Sequence, residues 1–165
     1  MNKLLSSPDR IAIALGALAA LLILGALGFE YLDGLPPCEI CMWQRYPHVA
    51  AIVVGLGGGL MLRLGVLQRE LAKPVAILTA LLIAASGAIA IYHAGIEWKL
   101  WAGPSHCTGS AFHATGPIDF NAPIVMCDQA AWRLFGLSLA GYNAIISLGA
   151  AMFGLVLVTK SRKTP

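Results

Sequence analysis

Two uncharged apolar stretches of the sequence are separated by PCEICMWQR, residues 37–45. A helix needs about 17–25 mainly apolar residues to cross a membrane, and the stretches at about 11–29 and 46–62 have that length. The quoted segment therefore links two predicted membrane spans. It places a Cys-x-x-Cys pair, Cys38 and Cys41, outside the first span and Arg45 just before the second.

The composition indicates membrane insertion of the whole chain. Of its 165 residues, 58% are hydrophobic and 12% are charged, and the mean hydropathy is +0.77. These values exclude an ordinary soluble domain. We predict an all-α membrane protein, a single four-transmembrane-helix bundle over residues 1–165 with further spans at about 74–92 and 134–159. Its two outer, periplasmic loops are expected at about 30–45 and 93–133.

The basic residues predict the orientation of these spans. Eight of the 11 lie in the N-terminal tail, in the hairpin between the second and third spans, or in the C-terminal tail. By the positive-inside rule these segments are cytoplasmic, and so are both termini. The net charge of +3 is explained by topology, so we expect contact with membrane lipid and none with nucleic acid. The start also resembles a signal peptide, but the first apolar run is long and lacks an obvious cleavage site.

All four cysteines fall in the two outer loops, where an oxidising compartment favours disulfides. Pairing of Cys38 with Cys41, and of Cys107 with Cys127, follows from their positions, although four cysteines allow three connectivities. Two stapling disulfides or a zinc site are alternatives from the same residues. A staple between residues three apart would stabilise little, and the second pair lacks zinc-knuckle spacing. We therefore favour redox chemistry and expect no metal.

Polar side chains near the outer boundary are candidates for the same chemistry. Arg45 follows Cys41 by four residues, so a continuing helix places both on one face, where the cation can stabilise a thiolate or bind a polar head group. Anchoring of the helix end is the alternative role for Arg45. His93, at the outer end of the third span, is a candidate proton donor or an interface residue. The sequence does not distinguish such roles for three other histidines, His48, His106 and His113.

With these residues assembled, the sequence resembles the DsbB family of membrane thiol oxidoreductases. The resemblance covers nearly the whole chain. It rests on the four spans, on PC-x-x-C at residues 37–41 with Arg45 four residues later, and on CDQAAW at 127–132 followed by FGL at 135–137. It implies an enzyme of the bacterial inner membrane that re-oxidises a DsbA-like periplasmic thioredoxin-fold protein. The electrons would pass to a quinone, either ubiquinone or menaquinone.

The resemblance also implies a role for each cysteine. Cys107 would form the mixed disulfide with the partner protein, with Cys127 as its mate in the loop. Cys38 would exchange with that loop through a Cys38–Cys127 intermediate. Cys41 would be the thiolate that faces the quinone.

Two further residues would bind the cofactor together with Cys41. Arg45 would lie beside the quinone, and His93 matches a histidine that the family keeps near the ring. Two features depart from the best-known members, namely a shorter second loop and Glu39 inside the Cys-x-x-Cys, which disfavours a thiolate. Alternatives are a vitamin K epoxide reductase-like enzyme, whose loop cysteines typically precede the Cys-x-x-Cys, and a non-enzymatic membrane scaffold with stapled or zinc-bound loops.

Overall fold

The computed structural model of the protein describes residues 7–105, 107–108 and 125–161. Within these ranges four helical segments are long and apolar enough to cross a membrane, which confirms the predicted fold class. They are α1 (Pro8–Tyr31), α2 (Glu39–Ile52) with its continuation to Arg63, α4 (Ala72–Glu97) and α5 (Leu139–Lys160). His106, His113 and most of the loop between Cys107 and Cys127 lie outside the described residues.

The surface of the bundle is apolar and its interior is partly polar. In the most apolar window of each candidate span, only 28% to 39% of the residues are buried inside the protein. Leu21, Val53 and Phe153 are exposed, whereas Thr79 and Ser86 are fully buried. Hydrocarbon solvates the first group well and the second badly. The distribution is therefore that of helices surrounded by lipid.

The second span changes its helical form halfway. After α2, a π-helical turn at Val53–Gly58 leads into the short helix α3 (Gly59–Arg63). The turn packs against α1, where a Cβ atom added to Gly55 would lie 2.7 Å from the Ala12 carbonyl oxygen and 2.9 Å from Gly16 Cα. Because Gly55 has no side chain, the two backbones approach closely, as small residues allow in membranes.

A hairpin of two short strands, β1 (Arg133–Leu134) and β2 (Leu137–Ser138), precedes α5. Its turn residues Phe135 and Gly136 have positive φ angles, 49° and 82°, as the tight turn between twisted strands requires. Ser138 then caps α5 through its side-chain oxygen. The helix therefore begins after the hairpin and not near residue 134, where the apolar sequence starts.

The close contact at Gly55 predicts a stability difference between two neighbouring glycines. We expect Gly55→Ala to lower the free energy of unfolding by about 1–3 kcal/mol, because the added methyl group overpacks the interface with α1. Gly57 has no atom within 4 Å of its added Cβ, so Gly57→Ala is the matched control and should leave stability unchanged or slightly raised. Thermal unfolding in detergent measures both, and equal effects at the two positions would contradict the packing described.

Candidate active site

The first cysteine pair lies at the cysteine end of the bundle, the end where α1 and α4 finish and α2 and α5 begin. Cys38 is the N-cap residue of α2, and its sulfur accepts a hydrogen bond from the Cys41 N–H at 3.2 Å. The two sulfur atoms are 2.6 Å apart. Cys38 is buried, while Cys41 is partly exposed. The pair is thus placed to open and close a disulfide at the helix start.

The surroundings distinguish the two thiols. Contact with the Cys41 sulfur, and then burial, raise the pKa of the Cys38 thiol well above its ordinary value. Only a thiolate is a good nucleophile. In the reduced pair Cys38 therefore keeps its proton at neutral pH, and Cys41 is the accessible sulfur.

The second pair forms a disulfide that packs against the first. Cys107 and Cys127 are bonded, with Cα atoms 5.3 Å apart, and the Cys127 N–H donates to the Cys107 carbonyl oxygen at 2.6 Å. Both residues are buried in one cluster with Cys38, Ile40 and Ile96. All four cysteines predicted to be catalytic are therefore brought together, although they come from segments far apart in the chain.

His93 of α4 connects the two pairs. Its Nε2 atom lies 3.1 Å from the Cys127 carbonyl oxygen and 3.6 Å from the Cys38 sulfur. Its Nδ1 atom lies 2.9 Å from the amide nitrogen of Gln44. An amide nitrogen can only donate, so Nδ1 accepts and the proton of the neutral ring is on Nε2. His93 therefore donates toward Cys127. Glu97, one turn further along α4, places Oε1 3.7 Å from the same Nε2.

Arg45 is held by a partner that the sequence analysis did not identify. Its guanidinium donates to Glu30 at the end of α1 at 2.5 Å, and both side chains are largely buried, at 16% and 20% exposure. The ion pair fixes Arg45 next to the start of α2. Opposite charges at adjoining ends of consecutive spans were the available signal.

A buried chain of hydrogen bonds leads from His93 into the bundle. Asn143 of α5 donates to the side-chain oxygen of Gln44 at 2.8 Å and to Ser86 Oγ at 3.2 Å. Its own oxygen accepts from Ser147 Oγ at 2.7 Å and lies 3.0 Å from His48 Nε2. This network was not predicted from the sequence. Polar side chains inside uncharged spans are its signal, since hydrocarbon offers them no other partners.

A cavity of about 250 Å³ lies beside Cys41. One wall is apolar and comes mainly from α1, including Leu22, Ala26 and Phe29. An apolar cavity of roughly 150 Å³ admits a benzene ring, so this cavity has room for a substituted ring. The polar side chains that line it come from three helices: Cys41, Gln44, Arg45, His48, His93, Tyr142 and Asn143. They include the three residues that were predicted to bind a cofactor, Cys41, Arg45 and His93.

One set of potential metal ligands occurs among the described residues. The ligand atoms of Cys38, Cys41 and His93 lie within 4.8 Å of one another. Both nitrogens of His93 are already engaged, Nδ1 by Gln44 and Nε2 by the Cys127 carbonyl oxygen. Metal binding requires an unprotonated nitrogen, which the observed hydrogen bonds do not leave free. The geometry therefore favours hydrogen bonding by His93 over ligation.

Comparison with known proteins relates nearly the whole chain to one family. The family model described as "Disulfide bond formation protein DsbB" matches residues 8–157. The chain is 29% identical to a "Disulfide bond formation protein B" of Polaromonas over 93% of this chain and 92% of the relative. It is 29% identical to the protein of that name in Haemophilus influenzae, over 84% and 80%, and 24% identical to an uncharacterized protein of Rickettsia prowazekii, over 78% and 75%. No solved structure matches.

The raised pKa of Cys38 predicts selective alkylation of the reduced protein. With limiting iodoacetamide near neutral pH, we expect Cys41 to be modified first, because Cys38 stays protonated and is only 4% exposed. Modification of Cys38 should be slower and should increase as the pH is raised. Peptide mass spectrometry locates the label, and guanidinium-unfolded protein, in which both thiols should react alike, is the control. Equal labelling of both cysteines in the folded protein would contradict the raised pKa and the burial of Cys38.

Proposed function

The chain belongs to the DsbB family, and from that membership we propose that it re-oxidises a DsbA-like thioredoxin-fold protein and passes the electrons to a membrane quinone. Membership itself makes it a membrane disulfide bond formation protein and a disulfide-forming oxidoreductase. One structural observation supports the proposal of a quinone acceptor and a DsbA-like partner. Cys41 lines a largely apolar cavity, while its neighbour Cys38 packs against the Cys107–Cys127 disulfide.

The residues around the cavity fit a quinone. The apolar wall from α1 suits a ring and its hydrocarbon tail, and Arg45 provides a cation for a ring oxygen. When bound, a quinone supplies the oxidising power, because it takes up two electrons and two protons. Arg45 and Cys41 would hold it, and His93, whose two nitrogens are engaged by Gln44 and Cys127, would contact it through its ring. Ubiquinone and menaquinone both satisfy this description.

The first half of the reaction takes place at the second outer loop. A thiolate of the reduced partner attacks Cys107 Sγ, which breaks the bond to Cys127 and releases Cys127 as a thiolate. The partner's second thiolate then attacks its own bonded sulfur, so the partner leaves oxidised and Cys107 is freed. Cys107 is only 9% exposed. Its segment must therefore move for the partner to reach the sulfur.

The second half transfers the disulfide between the two pairs. The Cys127 thiolate attacks Cys38 Sγ, which breaks the Cys38–Cys41 bond and releases Cys41 as a thiolate. Cys107 then attacks Cys127 Sγ, restoring the loop disulfide and freeing Cys38. Two electrons now reside on Cys38 and Cys41 beside the cavity. His93 supports the transfer by holding Cys127 near Cys38 through its Nε2–H.

This function requires the cysteine end to face the periplasm. The charge distribution supports that orientation, because Arg63, Arg69 and Lys73 lie where the second span ends and the third begins, at the other end of the bundle. Positive charge is retained on the cytoplasmic side. We therefore place both termini in the cytoplasm and the protein in a bacterial inner membrane.

Substitution of Cys41 tests the proposed function directly. Purified protein in detergent, supplied with a reduced DsbA-like dithiol and a short-chain quinone, should form quinol, and Cys41→Ser should abolish that reaction. A single exchange between the partner and Cys107 should persist in the variant. Met42→Leu, a volume-conserving change at the next residue, is the matched control and should retain activity. Absence of quinol formation by the folded parent with every dithiol donor tried would refute the proposal.

Arg45 should matter for the quinone step and little for the partner. We expect Arg45→Gln to slow quinone reduction about 100-fold, the usual cost of losing one preorganised group that stabilises developing negative charge. Stopped-flow absorbance of the quinone measures that step, and gel-shift trapping measures the mixed disulfide with the partner. Arg69→Gln, at an exposed site at the other end of the bundle, should change neither rate. Equal slowing of both steps by Arg45→Gln would indicate a structural role.

A further inference from the structure

His48 is a buried cavity residue that the proposed reaction does not use. It follows Cys41 by seven residues on α2, about two helical turns, so both side chains lie on one face. His48 is 3% exposed and lines the same cavity as Cys41 and Arg45. A buried polar side chain inside a membrane span is expected to have partners for its polar atoms, or a function.

The hydrogen-bond network fixes the tautomer of His48. Asn143 uses its amide nitrogen for Gln44 and Ser86, so its carbonyl oxygen is the atom 3.0 Å from His48 Nε2. A carbonyl oxygen can only accept. The neutral His48 ring therefore carries its proton on Nε2 and leaves Nδ1 as a bare acceptor.

That acceptor has no partner within the described part of the chain. His48 Nδ1 is buried and makes no hydrogen bond there. The other side-chain acceptors of the network are engaged, namely Gln44 Oε1 and Asn143 Oδ1 within it and His93 Nδ1 by Gln44. An unsatisfied buried acceptor is unfavourable, and a ligand that brings a donor removes the cost.

The quinone and the quinol differ in whether they can donate a hydrogen bond to such an acceptor. The ring oxygens of a quinone only accept hydrogen bonds, whereas the hydroxyls of a quinol also donate. Building on the proposed function, we propose that His48 Nδ1 accepts a hydrogen bond from a hydroxyl of the reduced ring, so that the cavity binds quinol more tightly than quinone. Tighter binding of the reduced form makes the bound ring a stronger oxidant by the same factor. His48 then favours electron transfer from Cys41.

Three other polar side chains of the cavity do not supply this contact. Arg45 is a donor paired with Glu30, and His93 directs its Nε2–H toward the Cys127 carbonyl oxygen. The Tyr142 hydroxyl donates to a backbone carbonyl oxygen of β1 at 3.0 Å. Preference for the reduced ring is therefore assigned to His48.

Two substitutions separate ligand binding from a structural role. The amide nitrogen of a glutamine can reach the place of Nε2, so His48→Gln keeps the donor to Asn143 and removes the acceptor at Nδ1. The carbonyl oxygen of an asparagine can take the place of Nδ1, so His48→Asn keeps that acceptor and loses the donor. Each change is made in the full-length chain carrying Cys38→Ser and Cys41→Ser, which cannot exchange electrons with the ligand.

The measurement is the affinity of each protein for a benzoquinone with a ten-carbon tail and for its quinol, by calorimetry in detergent under anaerobic conditions. We expect the parent background and His48→Asn to bind the quinol about 10-fold more tightly than the quinone, the effect of one buried acceptor satisfied. His48→Gln should bind both about equally. Thermal unfolding verifies that each variant is folded.

The possible results have distinct meanings. Equal affinity of the parent background for quinone and quinol would overturn the assignment to His48 and leave the proposed function standing. Preference kept in His48→Gln and lost in His48→Asn would show that His48 acts through Asn143, and would also overturn it. Binding of neither ring by the folded parent background would overturn both this assignment and the proposed function.

Discussion

The hydrogen bonds of His93 are the constraint on which the placement of the two cysteine pairs depends. One nitrogen donates to the Cys127 carbonyl oxygen and lies near the Cys38 sulfur, and the other accepts from Gln44. The ring therefore joins α2, α4 and the segment that carries the loop disulfide. Because His93 is buried, its polar atoms need partners within the protein. The sulfur atoms are held close by a residue that takes no part in the disulfide bonds.

Buried polar side chains deeper in the bundle also need partners within the protein. Asn143 of α5 donates to Gln44 of α2 and accepts from Ser147 within α5, among helices whose other buried contacts are mostly apolar. Interhelical hydrogen bonds of this kind each contribute roughly 0.6–2 kcal/mol in membranes. They also orient side chains that line the cavity beside Cys41. Stability of the bundle and geometry of the site thus depend on one set of polar contacts.

The sequence predicts the features that depend on local composition. Hydropathy and charge give four helices of membrane-spanning length, and the spacing of Cys41 and Arg45 identifies two of the residues that meet at the cavity. It does not predict pairings between distant segments, such as Gln44 with Asn143, which are 99 residues apart. Glu30 also gains its role only from the packing of α1 against α2. The start of α5 is missed because residues 134–139, LFGLSL, are apolar, and only the turn at Phe135 and Gly136 marks the hairpin.

In the proposed reaction, a disulfide passes between the loop pair and the pair beside the cavity. Mapping of disulfides by non-reducing peptide mass spectrometry in the Cys107→Ser variant tests it most directly, since Cys127 then lacks its mate. We expect a peptide joined through Cys38 and Cys127, with Cys41 free. A map in which Cys127 stays unpaired, or is bonded only to Cys41, would contradict it.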